Sequence, residues 1–186
     1  GATPKIVLAE QDHWRRRMEA QPTRFFAREL PSTLREAAAV LAKALSVDAD
    51  DVVFVPNATT GCNAVLRSMK LEEGDEVLHA SHVYNAVRNT MIYVAGRAGA
   101  KVVSAELPYP RPDKAVLLAT IERAIGKRTR IAVIDHITSP SGLVLPIAEI
   151  IAVCHAAGVP VLVDGAHGPG QVPLDLQALR SGQHTS

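Results

Sequence analysis

The sequence has no apolar run of membrane-spanning length, only two cysteines and almost no net charge. The first absence argues against a helical membrane span, which needs roughly 20 consecutive apolar residues. Cys62 and Cys154 sit in helix-like patterns. They allow one disulfide, but two buried thiols in a reducing compartment fit them better. A net charge of +1 argues against a nucleic-acid platform. The Arg15-Arg16-Arg17 run is the one dense basic spot, and it reads as a solvated helix face at least as well as a phosphate grip. The N-terminus shows no basic stretch followed by an apolar one, so no signal peptide is expected and a cytoplasmic location is. What is present is ordinary for a soluble chain: 186 residues, 47% apolar and 21% charged, enough for a domain with a sizeable core.

From Val52 onward, strand-like and helix-like segments alternate. Asp51-Val-Val-Phe-Val55 reads as a buried strand stopped by Pro56, and 60–69 as a helix with Cys62, Val65, Leu66 and Met69 on one face. Strands follow at 76–79, 101–104, 130–134 and 160–163. Between them lie helices: 84–98 ending at Gly99, one capped by Asp113 with Leu117, Leu118, Ile121 and Ile125 inward, and one opened by Pro146 and closed by Gly158. The strands are continuous apolar runs, as expected when helices cover both sheet faces. The pattern predicts an α/β fold, a three-layer sandwich with a mostly parallel sheet. Residues 1–50 differ: 14–19 and 34–45 look like two helices, with Thr33 and Glu36 as a capping box for the second. The expected division is a helical segment 1–50, a ligand-binding portion 51–179 and a frayed tail 180–186.

In an open α/β sheet, ligands gather beyond the carboxyl ends of the strands. The first such position, Asn57-Ala58-Thr59-Thr60-Gly61, has small residues, two hydroxyls and free N–H groups at a helix start. These suit a phosphate, although a plain N-cap by Thr59 or Thr60 explains them too. The second, Ala80-Ser81-His82-Val83-Tyr84, offers an aromatic ring to stack on a flat ligand, or simply a packed tyrosine. His79 and His82 are spaced for a metal but have no evident third ligand, so no metal is expected. The third, Asp135-His136-Ile137-Thr138-Ser139-Pro140-Ser141-Gly142, is a dense polar turn that reads equally as a surface loop. The last is Asp164-Gly165-Ala166-His167. A carboxylate ending a buried strand needs a partner. Helix capping supplies one, and so does a protonated ring nitrogen such as that of pyridoxal 5'-phosphate (PLP), where the charge keeps the ring an electron sink. The glycines here do not follow the dinucleotide fingerprint.

With these motifs in place, the sequence resembles the class V, fold-type-I PLP enzymes, the isopenicillin N epimerase-like group among them. The resemblance runs from Trp14 to Leu179 and is carried by Val55-Pro-Asn-Ala-Thr59, Ile137-Thr-Ser-Pro-Ser-Gly142 and Val163-Asp-Gly-Ala-His167. It implies a PLP-dependent transferase-like large domain, here incomplete. Ala58, Thr59 and Thr60 match the phosphate turn, and Tyr84, or alternatively His82, matches the stacking residue. Ser139 matches a group near the ring hydroxyl, and Asp164 the partner of the ring nitrogen. His167 matches a contact of the ring hydroxyl that helps hold or move a proton. It also implies a small amino-acid-like substrate, a homodimer when full length, and lyase, epimerase or aminotransferase chemistry. All six lysines, Lys5, Lys43, Lys70, Lys101, Lys114 and Lys127, precede Asp164, whereas the family's Schiff-base lysine follows it. The chain therefore reads as a fragment, inactive alone, with a non-catalytic fragment or pseudoenzyme acting through protein contacts as the alternative. Cys62, on an apolar helix face, reads as a core residue and not as a persulfide carrier.

Overall fold

The computed structural model describes residues 2–110 and 113–181, and the chain divides into two compact units, Gly1–Phe54 and Val55–Ser186. The first unit is helical: α1 (Lys5–Ala20), a single turn α2 (Pro22–Arg24), a π-helical stretch (Phe25–Glu29) and α3 (Leu30–Leu45). Trp14 packs on Phe25 with ring centroids 6.2 Å apart, and the Arg17 guanidinium lies 5.2 Å above the Trp14 ring. Arg17 and Arg24 both pair with Glu29, at 2.8 and 2.9 Å. Within the arginine run, Arg15 pairs with Asp12 and Arg17 with Glu29 on a largely exposed face. The expected capping box does not form. Thr33 lies inside α3, where its hydroxyl donates to the Glu29 carbonyl at 2.9 Å, because Pro31 is accepted in the first turn and the helix starts earlier.

The segment 51–55 is not a strand. Asp51 ends a 3₁₀ turn (Ala49–Asp51) and the backbone continues without secondary structure through Val55, with Val53 76% exposed. Its β-branched residues favour extended backbone, but a strand exists only where a neighbour supplies the ladder, and none does among the described residues.

The second unit holds α4 (Ala58–Ser68), β1 (Glu76–Ala80), α5 (Asn85–Ala98), β2 (Lys101–Ala105), α6 (Lys114–Ala124), β3 (Thr129–Asp135), α7 (Ile147–Ala156), β4 (Val161–Asp164) and α8 (Leu176–Ser181). The four strands are parallel, in the order β2-β1-β3-β4. Neighbouring residues point to opposite faces, which produces two cores. Leu78, Ala132 and Ile134 pack with Leu117 and Ile121 of α6 and Ile147, Ile150 and Cys154 of α7. Val77, Ile131 and Val133 pack with Cys62 and Leu66 of α4 and Val87 and Met91 of α5. This is the α/β three-layer sandwich the sequence predicts.

Local signals place the helix ends. The Asp113 carboxylate accepts from the Ala115 and Val116 N–H groups, and Gly99 ends α5 at φ 67°. On α4, Cys62 and Leu66 are buried but Val65 is 41% exposed and lies off the inward face. Both cysteines are buried free thiols. The expected frayed tail begins too early, since α8 runs to Ser181; residues 182–186 lie outside the described part. Among the described residues no helix is long and apolar enough to cross a membrane.

Candidate functional site

The strand order reverses between β1 and β3, since the chain steps outward to β2 and then returns to the other side of β1. Such a switch point opens a crevice at the carboxyl ends of the strands. A cavity of about 410 Å³ lies there, lined by Asn57, Ala58, Thr59, Tyr84, Asp135, Ile137, Ser139, Asp164, Ala166 and His167.

Each wall has a local cause. The Asn57 side chain caps α4, its Oδ1 accepting from the Thr60 N–H at 2.8 Å and from the Thr60 hydroxyl at 3.1 Å. That leaves Ala58 and Thr59 at the cavity wall, in the turn whose N–H groups have no intrahelical acceptor. Thr60 is spent on the cap and does not line the cavity. Tyr84 precedes α5 and is 44% exposed. His82 turns elsewhere: its Nδ1 is hydrogen-bonded to Ser141 Oγ at 2.8 Å, and its ring stacks on Tyr109 at 5.4 Å. His79 is buried and donates from Nδ1 to the Ala80 carbonyl at 2.7 Å. Burial pulls its pKa down, so it stays neutral.

The loop after β3 is fixed by its own hydrogen bonds. The Thr138 N–H donates to the Leu143 carbonyl, the Leu143 N–H to Thr138 Oγ1, and Ile137 bridges Val144. Gly142, at φ 65°, makes the reversal, and Ser139 is carried at the cavity wall. After β4, Asp164 is 6% exposed with Oδ1 accepting from the Ala166 N–H at 3.1 Å. A turn closed by the Gly168 N–H on the Gly165 carbonyl sets His167 on the same wall.

The residue that the sequence reading left unassigned is Asp135. It ends β3 directly beside Asp164 in the parallel register and is 3% exposed. Its Oδ1 is the buried side-chain polar atom without a hydrogen-bond partner among the described residues. Burial, and then the charge of Asp164, raises its carboxyl to about 7, against the pull of the Ser139 and Tyr84 N–H groups. The rule that singled out Asp164, a carboxylate closing a buried strand, applies to Asp135 equally. Cys62 lies close enough to feel both carboxylates. Burial and their charges push its thiol up to about 11, which makes it a poor nucleophile at neutral pH.

The residues present suit a small anionic, aromatic ligand. A helix N-terminus faces one wall, a ring-bearing tyrosine another, and two carboxyls a third, one with an unsatisfied oxygen. Among the described residues no lysine or arginine lines the cavity, so the groups these residues offer an anion are backbone N–H groups and the dipole of α4.

The fold and this arrangement define a parallel α/β domain with a cavity at its switch point. The family model for aminotransferase class V matches residues 2–181, and the chain belongs to that family, whose members use PLP. It is 35% identical to putative L-cysteine desulfhydrase 1 of Oryza sativa subsp. japonica over all of this chain and 42% of that protein. It is 33% identical to isopenicillin N epimerase of Streptomyces clavuligerus over 96% of this chain and 45% of that one. Among solved structures, a complex of the cystine C–S lyase C-DES with its product cysteine persulfide superposes with a TM-score of 0.83 at 28% identity, over 95% of this chain and 48% of that one. A mutant of C-DES with glycine covalently linked to its PLP cofactor gives 0.82. The chain thus spans less than half the length of these curated relatives.

Proposed function

We propose that this chain forms the cofactor-binding part of a PLP-dependent enzyme acting on amino acids, of lyase or epimerase type, with cysteine-like substrates the first to test. PLP, when bound, supplies an electron sink for bond breaking at the substrate's α-carbon. The chain's own residues bind and orient it. The Ala58 and Thr59 N–H groups receive the phosphate, and Tyr84 covers a face of the ring. Asp164 keeps the ring nitrogen protonated, and Ser139 and His167 stand at the ring hydroxyl, where His167 holds or moves a proton. The relatives named as cysteine desulfhydrases and as a cystine lyase favour sulfur-containing amino acids; the epimerase relative keeps α-proton exchange open. A homodimer and a cytoplasmic location belong to the same reading.

One observation carries it: the loops bearing Thr59, Tyr84, Ser139, Asp164 and His167, spread over more than a hundred positions of sequence, line one cavity. None of the six lysines is among the lining residues, so the reading concerns capture and orientation of the cofactor. The test is a parallel titration of the full chain with PLP and with an adenine nucleotide, followed by absorbance and fluorescence. Saturable PLP binding that Asp164→Ala weakens is expected. Binding of the nucleotide and not of PLP would defeat the reading and favour a nucleotide-binding α/β domain.

A further inference from the structure

Two strands end side by side on a carboxyl. Asp135 and Asp164 are partners in the parallel register, both are buried, and both line the cavity. Their oxygens are treated differently. Asp164 Oδ1 accepts an N–H from Ala166, whereas Asp135 Oδ1 has no partner among the described residues. The titratable groups around Asp135 are Asp164 on β4, His167 in the loop beyond it, Tyr84 ahead of α5, Cys62 on α4 and His136, the residue that follows it in the chain. Among the described residues no lysine or arginine joins them on the cavity wall. Two neighbouring carboxyls out of water do not both ionise readily. The Ser139 and Tyr84 N–H groups also reach the Asp135 carboxyl, but its burial and the neighbouring charge of Asp164 outweigh their pull. Asp135 is the one that keeps the proton, as its raised pKa of about 7 also indicates. A neutral carboxylic acid with an unsatisfied oxygen on a ligand cavity is a hydrogen-bond donor waiting for an acceptor.

We propose that Asp135 acts as a neutral acid in the cofactor site, donating its hydroxyl hydrogen to the oxygen substituent of the pyridine ring while Asp164 holds the ring nitrogen as an anion. This rests on the PLP reading and extends it. The two adjacent carboxyls would take opposite protonation states, one to accept from the ring nitrogen and one to donate to the ring oxygen. No proton leaves Asp135 in the process. Binding favours its protonated form, so the complex holds that proton to a higher pH than the free site does.

The linkage sets the sign. Above the free-site pKa the ligand must bind together with a proton, so wild-type affinity falls relative to a variant that cannot ionise, by up to about tenfold per pH unit. Asp135→Asn keeps a neutral donor at the same place. The experiment measures the Kd for PLP of the full chain, wild type and Asp135→Asn, from pH 6 to 8.5. Ionisations of PLP itself are common to both proteins and cancel in the ratio. The expected ratio of wild-type to variant Kd is nearly constant up to about pH 7 and rises above it. An infrared measurement on the wild-type complex at pH 7.5 checks the same point without a variant, since a protonated-carboxyl band should persist. A ratio that stays flat or falls with pH, or a complex lacking that band, overturns the assignment of Asp135 and leaves the PLP reading standing. Failure of the wild type to bind PLP at any pH overturns both.

Discussion

Replacing Asp135 by asparagine should stabilise the unliganded protein at alkaline pH and do little at acid pH. Burial and the neighbouring Asp164 raise the folded-state pKa of Asp135 from 3.8 to about 7. The folded chain therefore binds a proton that the unfolded chain releases between these values. Stability falls as pH rises from about 4 to about 7 and levels off beyond, where Asp135 is ionised in both states. The rise from 3.8 to about 7 corresponds to about 4 kcal/mol, at about 1.36 kcal/mol for each tenfold change in proton affinity. Water entering the cavity reduces this, so Asp135→Asn should gain roughly 2–4 kcal/mol over wild type at pH 8 and near zero at pH 4.5. His79 and His136 act in the opposite sense. Burial lowers both pKa values, so they contribute stability above their ordinary pKa that is lost as pH falls. They are present in both proteins, and the difference between the two unfolding curves isolates Asp135. Urea unfolding followed by circular dichroism at four or five pH values provides the assay. A variant equal to or less stable than wild type at pH 8 would refute the claim that this carboxyl is held in an unfavourable site.

Other substitutions probe the supports of the site. Asn57→Ala removes the cap on α4, in which Oδ1 serves both the Thr60 N–H and the Thr60 hydroxyl; urea unfolding should show a loss of about 1 kcal/mol, with weaker PLP binding in the same protein. Leu66→Ala, at a fully buried position between α4 and the sheet, should lower stability by about 2–5 kcal/mol. Gly99→Ala places a side chain at φ 67° and brings a Cβ to 3.2 Å from Glu73 Cγ; a loss of about 1 kcal/mol or more is expected in the same assay.

Where a segment makes its own structure, its sequence shows it. The Asp113 cap, the Gly99 stop and the apolar runs that became β1, β3 and β4 depend on neighbours a few positions away or on burial on both faces, and both leave a mark in the residue pattern. The segment 51–55 has the same composition, yet a strand needs a partner, and composition does not say whether one is at hand. Thr33 was misplaced because a capping pattern fits wherever a threonine precedes a glutamate, while Pro31 let α3 start earlier. The site divides in the same way. Asp164 stands out in the sequence as a carboxylate closing a buried apolar strand, whereas Asp135, which closes one too, reads as part of a polar turn. Only the parallel register of β3 and β4 shows that the two carboxyls are neighbours. The choice between Tyr84 and His82 was likewise undecided in the sequence. The contacts of His82 with Ser141 and Tyr109 turn it away from the cavity and leave Tyr84 on the wall.

The most direct test of the account is a crystal structure of the full chain with PLP. The phosphate should lie at the N–H groups of Ala58 and Thr59, the ring beside Tyr84 and its nitrogen against the Asp164 carboxylate. Density for PLP at another surface, or bound here with its nitrogen away from Asp164, would contradict it.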